Sequence, residues 1–221
     1  MKTSKSTLRE KVHSELKERI VSGDILPGQV ITLKNLSDQF GVSIVPVREA
    51  LFQLESEGVV IRRNNRDYRV NVLNSKQFQE LYRIRFLNEL YIARRAYRNK
   101  PKKARLTLGY ILEDMQAAVD SPKLYIKMNH SFHFAMYSYA KSPLLFEFIS
   151  SLWARIGPYF SITAEVAEKL ETSFVFHQNM YNYFISGTEE QYISSLKEDL
   201  KYSYELLKPL IKKLESTILK D

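Results

Sequence analysis

Gly41-Val-Ser-Ile-Val-Pro-Val-Arg-Glu-Ala-Leu51, followed by Phe-Gln-Leu54-Glu-Ser-Glu-Gly58, is the stretch that decides how this chain folds. Gly41 suits a left-handed helix C-cap, and Ser43 is a good N-cap for a helix over Ile44–Glu57. Pro46 falls in that helix's first turn, where its missing N–H does no harm. Upstream, Leu33–Phe40 reads as a short helix. Before it, Leu8, Val12, Leu16 and Ile20 recur at helical spacing until Ser22-Gly23 stops them. A turn with Pro27-Gly28 and a short apolar stretch separate these two helices. Downstream, Val59-Val-Ile-Arg-Arg and Tyr68-Arg-Val-Asn-Val read as strands joined by a hairpin turn at Asn64-Asn-Arg-Asp67. Helix, short helix, turn, longer helix and hairpin is the order of a winged helix-turn-helix.

After Leu73-Asn74-Ser75 no strand signal returns. Ser75 is expected to cap a long helix, and the spacing predicts helices at about 75–98, 101–119, 121–140, 143–168, 170–186 and 188–216. Pro101, Pro122, Pro143 and Gly187 mark the breaks. The fold class expected is mainly α: a winged domain over residues 1–74 and an antiparallel all-helical bundle over 75–221. The bundle half holds 13 of the 14 tyrosines, 10 of the 12 phenylalanines and the only tryptophan.

The net charge of +8 and pI near 9.4 favour a polyanionic partner. Residues 1–75 carry twelve Lys and Arg against nine Asp and Glu, and the remainder 21 against 16, so charge alone does not locate a DNA-binding domain. What stands out is local: Arg62, Arg63, Arg66 and Arg69 around a single Asp67. With no cysteine there is no disulfide, thiolate metal site or cysteine nucleophile. The absence of a secretory core or a membrane-length apolar run makes the cytoplasm the expected location and a membrane an unexpected partner. The match of Asn129-His-Ser to a glycosylation acceptor is then a coincidence.

A winged helix sends its third helix into the major groove N-terminus first. That brings Ser43, Ile44 and Val45 to base edges and phosphates, with Arg48 one turn in, able to reach a phosphate or fork onto guanine. The hairpin tip, with Asn64, Asn65, Arg66 and Arg69, reaches toward the adjacent backbone or minor groove. Two other readings compete. One is a metal-dependent hydrolase built on His130, His133, His177 and Asp199, although no nucleophile motif, phosphate loop or His-Glu-x-x-His helix accompanies them. The other is an interaction module without specific DNA binding, motivated by the apolar Ile44 and Val45.

Pro27-Gly28-Gln-Val-Ile, Leu36-Ser37, the Gly41–Leu51 string and Leu54-Glu-Ser-Glu-Gly58-Val together resemble the GntR family of bacterial regulators over about residues 5–73. The resemblance implies that Lys34 and Arg48 contact operator DNA. It also shows a departure. Ile44 and Val45 stand where the family has arginine and threonine, and Asp67 replaces the wing glycine. An apolar pair cannot make the usual hydrogen bonds, which leaves thymine methyl groups as its partners in the groove. The family's operator sequence is therefore not carried over.

The second half resembles the FCD effector domain of the FadR-type branch, in its smaller VanR-like subgroup. The residues that carry this are Asn129-His-Ser-Phe132-His133, Ala140-Lys-Ser-Pro143-Leu-Leu, Leu152-Trp153-Ala-Arg155-Ile and His177. The resemblance implies homodimerisation, a small organic-acid effector and a divalent metal (Zn²⁺, Ni²⁺ or Mn²⁺) held by an Asp and three histidines. Here those positions fall on Asn129, His133, His177 and Asp199. One carboxylate has in effect moved from the first position to the last, so the ligand charge stays at −1. His130 is a substitute metal ligand or an effector contact. An anionic effector needs a buried cation, for which Arg83, Arg85, Arg94 and Arg155 are candidates. Arg83 and Arg85, two apart on one helix, cannot both point inward.

Overall fold

The computed structural model describes residues 7–63, 67–163 and 167–218. Helix α1 (Leu8–Val21) opens with a capping box in which Thr7 and Glu10 satisfy each other's backbone N–H. β1 (Val30–Thr32) leads into α2 (Leu33–Phe40), which ends at Gly41 with φ +62°, the left-handed conformation expected there. α3 (Ile44–Ser56) follows, then β2 (Val60–Arg62) and β3 (Asp67–Val70). The antiparallel sheet runs β1-β3-β2, with Arg69 facing Val30 on one side and Ile61 on the other. β1 is a strand the sequence did not announce. Three residues are too few to show alternation, and its strand character comes from pairing with β3, more than thirty residues away. That pairing also corrects Arg69, which lies in the centre of the sheet and not at the hairpin tip.

The rest is helical. α4 (Ser75–Asn99) starts from Asn74, whose side chain bonds Gln77 N in a second capping box. Ser75, expected as the cap, is instead the first helical residue, and it is bonded by its backbone and its hydroxyl to Glu215. α5 (Ala104–Ala117), α6 (Pro122–Ser138), α7 (Pro143–Thr163), α8 (Ala167–Ser186) and α9 (Glu189–Ile218) complete the bundle. Their ends fall within a few residues of those expected from the prolines and Gly187. α4 packs against α9 and α7, α5 against α6 and α8, and α8 against α9.

Two hydrophobic cores result. Val12, Leu16, Ile20, Val47, Leu51, Leu54 and Val70 form one; residues from Leu73 to Ile211 form the larger. Helix α7 belongs to both. Trp153, Ile156 and Phe160 face the bundle, whereas Ala154 is buried in the winged core. From the same side of α7, Arg155 donates to Glu57 O at 2.8 Å and Ser161 Oγ to Ser22 O at 2.7 Å. Ion pairs Lys123–Asp24 and Lys127–Glu18 tie α6 to the end of α1 and the turn beyond it.

Within the winged half, one carboxylate joins α1 to the end of α3. Glu57 receives His13 Nε2 at 2.8 Å and Lys17 Nζ at 2.7 Å. Burial raises its pKa, but these two bonds outweigh it and hold Glu57 at about 2, against an ordinary 4.5. Because the folded value is the lower one, the stability it contributes is present above pH 4.5 and is lost as pH falls toward 2. Glu57→Gln is expected to cost about 1–3 kcal/mol at neutral pH. It should also make the acid limb of the stability curve shallower, as read by urea unfolding at a series of pH values.

Candidate functional site

The exposed face of α3 is the first candidate. Val47, Ala50, Leu51 and Leu54 are fully buried, which turns the opposite side of the helix outward. Ser43, Ile44, Val45 and Arg48 are all exposed there, and Lys34 is exposed on α2. Ser43 occupies the N-cap position but makes no side-chain bond to its helix. Phe52, two turns into α3, is 66% exposed, and it shares a shallow groove with Arg9, Arg48, Arg62 and Tyr68. Neither Phe52 nor Arg9 stood out in the sequence, because the orientation of α3 against β2 and α1 had first to be known. Asn65 and Arg66, with Asn64, lie outside the described residues.

The second candidate lies inside the bundle. Asn129 and His133 are one turn apart on α6, His177 comes from α8 and Asp199 from α9, and all four are buried. His133 Nε2 and His177 Nε2 are 3.1 Å apart, and Asn129 Oδ1 is 3.1 Å from His177 Nε2. Asp199 approaches His133 Nε2 at 3.5 Å and His177 Nε2 at 3.9 Å. These are the four residues that the resemblance singled out.

The outer bonds decide where the protons are. His177 Nδ1 is 2.7 Å from Ser173 O, a carbonyl that can only accept, so Nδ1 carries the hydrogen and Nε2 is a lone pair. Tyr137 Oη donates to Glu89 Oε2 at 2.7 Å, which leaves it to accept from His133 Nδ1 at 3.3 Å. His133 Nε2 is then also a lone pair. Two imidazole lone pairs thus face each other beside a carbonyl and a carboxylate. Burial, followed by the field of His177, holds His133 well below the usual histidine range. Burial likewise raises Asp199, partly opposed by His177. Acceptors from three helices thus converge on one point, an arrangement whose chemistry suits a cation.

Glu89 is the residue the sequence reading missed. It is fully buried and accepts from Arg85 Nε at 2.6 Å, Trp153 Nε1 at 3.1 Å and Tyr137 Oη. Arg85 also lies over the Trp153 ring, 4.6 Å from its centroid. The signal was present, since 85 and 89 continue the inward-facing series Phe78, Leu81, Ile92 and Ala96.

Of the four candidate arginines only Arg85 is inside. Arg83 is exposed, Arg94 pairs with Glu189, and Arg155 bonds the end of α3. His130 is also displaced from the cluster. It lies off the face that carries Asn129 and His133, stacks on Phe134, and opens to the cleft between α1 and α6. Burial holds it at about 4, opposed by Glu18. Arg85, Asn129, His133 and Asp199 border a small cavity of about 30 Å³, with Tyr125 and Trp153 also on its wall. The Tyr125 hydroxyl is buried with no hydrogen-bond partner of ordinary geometry. As it stands, this space admits a water or an ion and not an organic acid.

Residues 8–70 match the model of the bacterial regulatory proteins of the gntR family, and residues 80–201 match the FCD domain. The chain belongs to the GntR family. This GntR regulator is 33% identical over 154 residues to the HTH-type transcriptional regulator McbR of Escherichia coli (strain K12), covering 69% of this chain and 70% of McbR. It is 34% identical over 116 residues to the gluconate operon transcriptional repressor of Bacillus subtilis (strain 168), covering 52% of this chain and 47% of that repressor. The solved structure of E. coli McbR/YncC superposes with a TM-score of 0.88 at 27% identity, over 93% of this chain and 99% of that one. The family is one of bacterial regulatory proteins, so this GntR protein is a transcriptional regulator and not a hydrolase. Among the described residues, no helix is long and apolar enough to cross a membrane.

Breaking the Arg85–Glu89 pair leaves an uncompensated buried charge. Glu89→Ala and Arg85→Ala are each expected to cost about 3–5 kcal/mol, with the double variant costing clearly less than their sum. Urea unfolding read through Trp153 fluorescence checks this, because the only tryptophan sits in the network itself.

Proposed function

We propose that this regulator binds palindromic operator DNA as a homodimer, and that a small organic acid entering the bundle cavity alters that affinity. One observation carries the reading: a single helix, α7, walls the cavity with Trp153 and Phe160 and packs Ala154 into the core that supports α3. The winged half (residues 1–74) reads DNA through Lys34, Ser43, Ile44, Val45 and Arg48, and the bundle half (75–221) dimerises and senses the effector. Because the cavity is small, an acid enters only as side chains around it move, and part of that wall is α7. Arg85 is the cation inside, and its guanidinium is the group suited to fork onto a carboxylate.

The convergent lone pairs of His133 and His177, with Asn129 and Asp199, fit a divalent cation such as Zn²⁺, Ni²⁺ or Mn²⁺. Such an ion, when bound, would supply a positive centre for the effector's carboxylate. Ser173 and Tyr137 hold the two imidazoles in the tautomers such an ion requires.

Four outcomes are expected. The full-length chain should run near twice 25.9 kDa in solution. Arg48→Ala should weaken binding to a selected operator by about 1–3 kcal/mol, while Lys34→Ala should flatten the salt dependence by about one unit. Unchanged affinity in Arg48→Ala at physiological salt rejects the docking. Protein purified without chelator or nickel resin should carry a transition metal and lose thermal stability in EDTA. Under about a tenth of an equivalent of metal, together with no melting shift on adding Zn²⁺, rejects the metal site.

A further inference from the structure

Four apolar side chains of α3, Val47, Ala50, Leu51 and Leu54, fill the winged core, and Phe52 lines the groove with Arg9 and Arg48. Ile44 and Val45 do neither. They are 43% and 59% exposed, adjacent in sequence, and placed in the first turn of the helix. Single exposed apolar residues are ordinary on a protein surface. A consecutive β-branched pair in the first turn of the helix, with exposed Arg48 one turn on, is not one of these isolated cases.

We propose that Ile44 and Val45 are specificity-determining residues that read thymine 5-methyl groups in the major groove of each half-site. This inference rests on the DNA-binding reading above and goes beyond it in naming what the helix tip recognises. The chemistry is one of elimination among base edges. In the major groove guanine, cytosine and adenine present hydrogen-bond donors and acceptors, and thymine alone adds a methyl group. Packing Ile44 or Val45 against an amino group or a ring nitrogen would strip water from a polar atom and return no hydrogen bond. Against a methyl group the same packing buries apolar surface on both sides. Valine and isoleucine also hold one preferred χ1 rotamer in a helix, so little side-chain freedom remains to be lost on contact. The polar work is left to neighbours. The Ser43 hydroxyl is not engaged in capping its own helix and can take a phosphate oxygen, while Arg48 and Lys34 supply the charge. Phosphate contacts then fix the register and the apolar pair supplies the sequence preference.

The test begins with selection of duplexes bound by the full-length protein from a random pool. Each thymine of the selected half-site is then replaced singly by deoxyuridine, which keeps every hydrogen-bonding edge and removes only the methyl. One or two positions per half-site are expected to weaken binding about three- to fivefold, the value of one buried methyl. The Ile44→Ala, Val45→Ala double variant should bind thymine and deoxyuridine duplexes equally at those positions, with an unchanged melting temperature because both sites are on the surface. Ile44→Arg with Val45→Thr should select guanine there instead. Deoxyuridine throughout the half-site with less than about a twofold effect would overturn the inference, as would full methyl sensitivity in the double variant. A chain that selects a specific duplex but ignores the methyl overturns this inference alone. A chain that selects no duplex overturns the DNA-binding reading with it.

Discussion

A carboxylate without access to water must be surrounded by donors, and the bundle is arranged around meeting that demand at Glu89. Three donors from three helices answer it: Arg85 from its own α4, Tyr137 from α6 and Trp153 from α7. Each of them then has a second task. Arg85 faces the cavity, Trp153 sets that cavity's wall and carries the arginine on its ring, and Tyr137, having given its proton to Glu89, can only accept from His133. The direction of one hydrogen bond thereby fixes the tautomer of an imidazole on the far side of the tyrosine. The polar cluster and the packing of α4, α6 and α7 are in this sense one construction, because none of its members can be reoriented without stranding another.

The winged half has a lighter version of the same device. Glu57 closes α3 by accepting from two residues of α1, and its backbone carbonyl accepts from Arg155 of α7. A single residue at the end of the recognition helix therefore answers to three elements. The exposed tip of that helix, by contrast, has few obligations to the rest of the protein, which leaves Ile44 and Val45 free to vary without cost to the core.

Much of this was legible before any coordinates, and the parts that were not share a cause. The helix-turn-helix was readable because its caps and its apolar period are local. Asn129, His133, His177 and Asp199 could be placed together because the resemblance to the FCD domain implied them as one ligand set. Glu89 escaped because a charged residue in a helix reads as solvated until the helix is known to be enclosed, even though it keeps step with Phe78, Leu81, Ile92 and Ala96. His130 was over-read for the opposite reason, since closeness to His133 in sequence does not give it the same face. β1 was invisible, being a strand only by virtue of its partner. Arg83, Arg94 and Arg155 were equal to Arg85 as letters, and only packing separated them.

Where α7 crosses the winged half, glycines let the two segments approach closely. A Cβ on Gly157 would stand 2.7 Å from Val21 Cγ1, and one on Gly23 would stand 2.2 Å from the side chain of Ser161. A joint packed this closely transmits displacement with little slack, as two gear faces do and two brushes do not. The consequence is one of reciprocity. On the proposed function, a guest in the cavity that prefers one seating of α7 changes the free energy of the arrangement that meets DNA. The DNA must then change the affinity for that guest by the same factor, since a cycle of binding steps returns to its starting point. Traffic across those two glycines runs equally well in both directions.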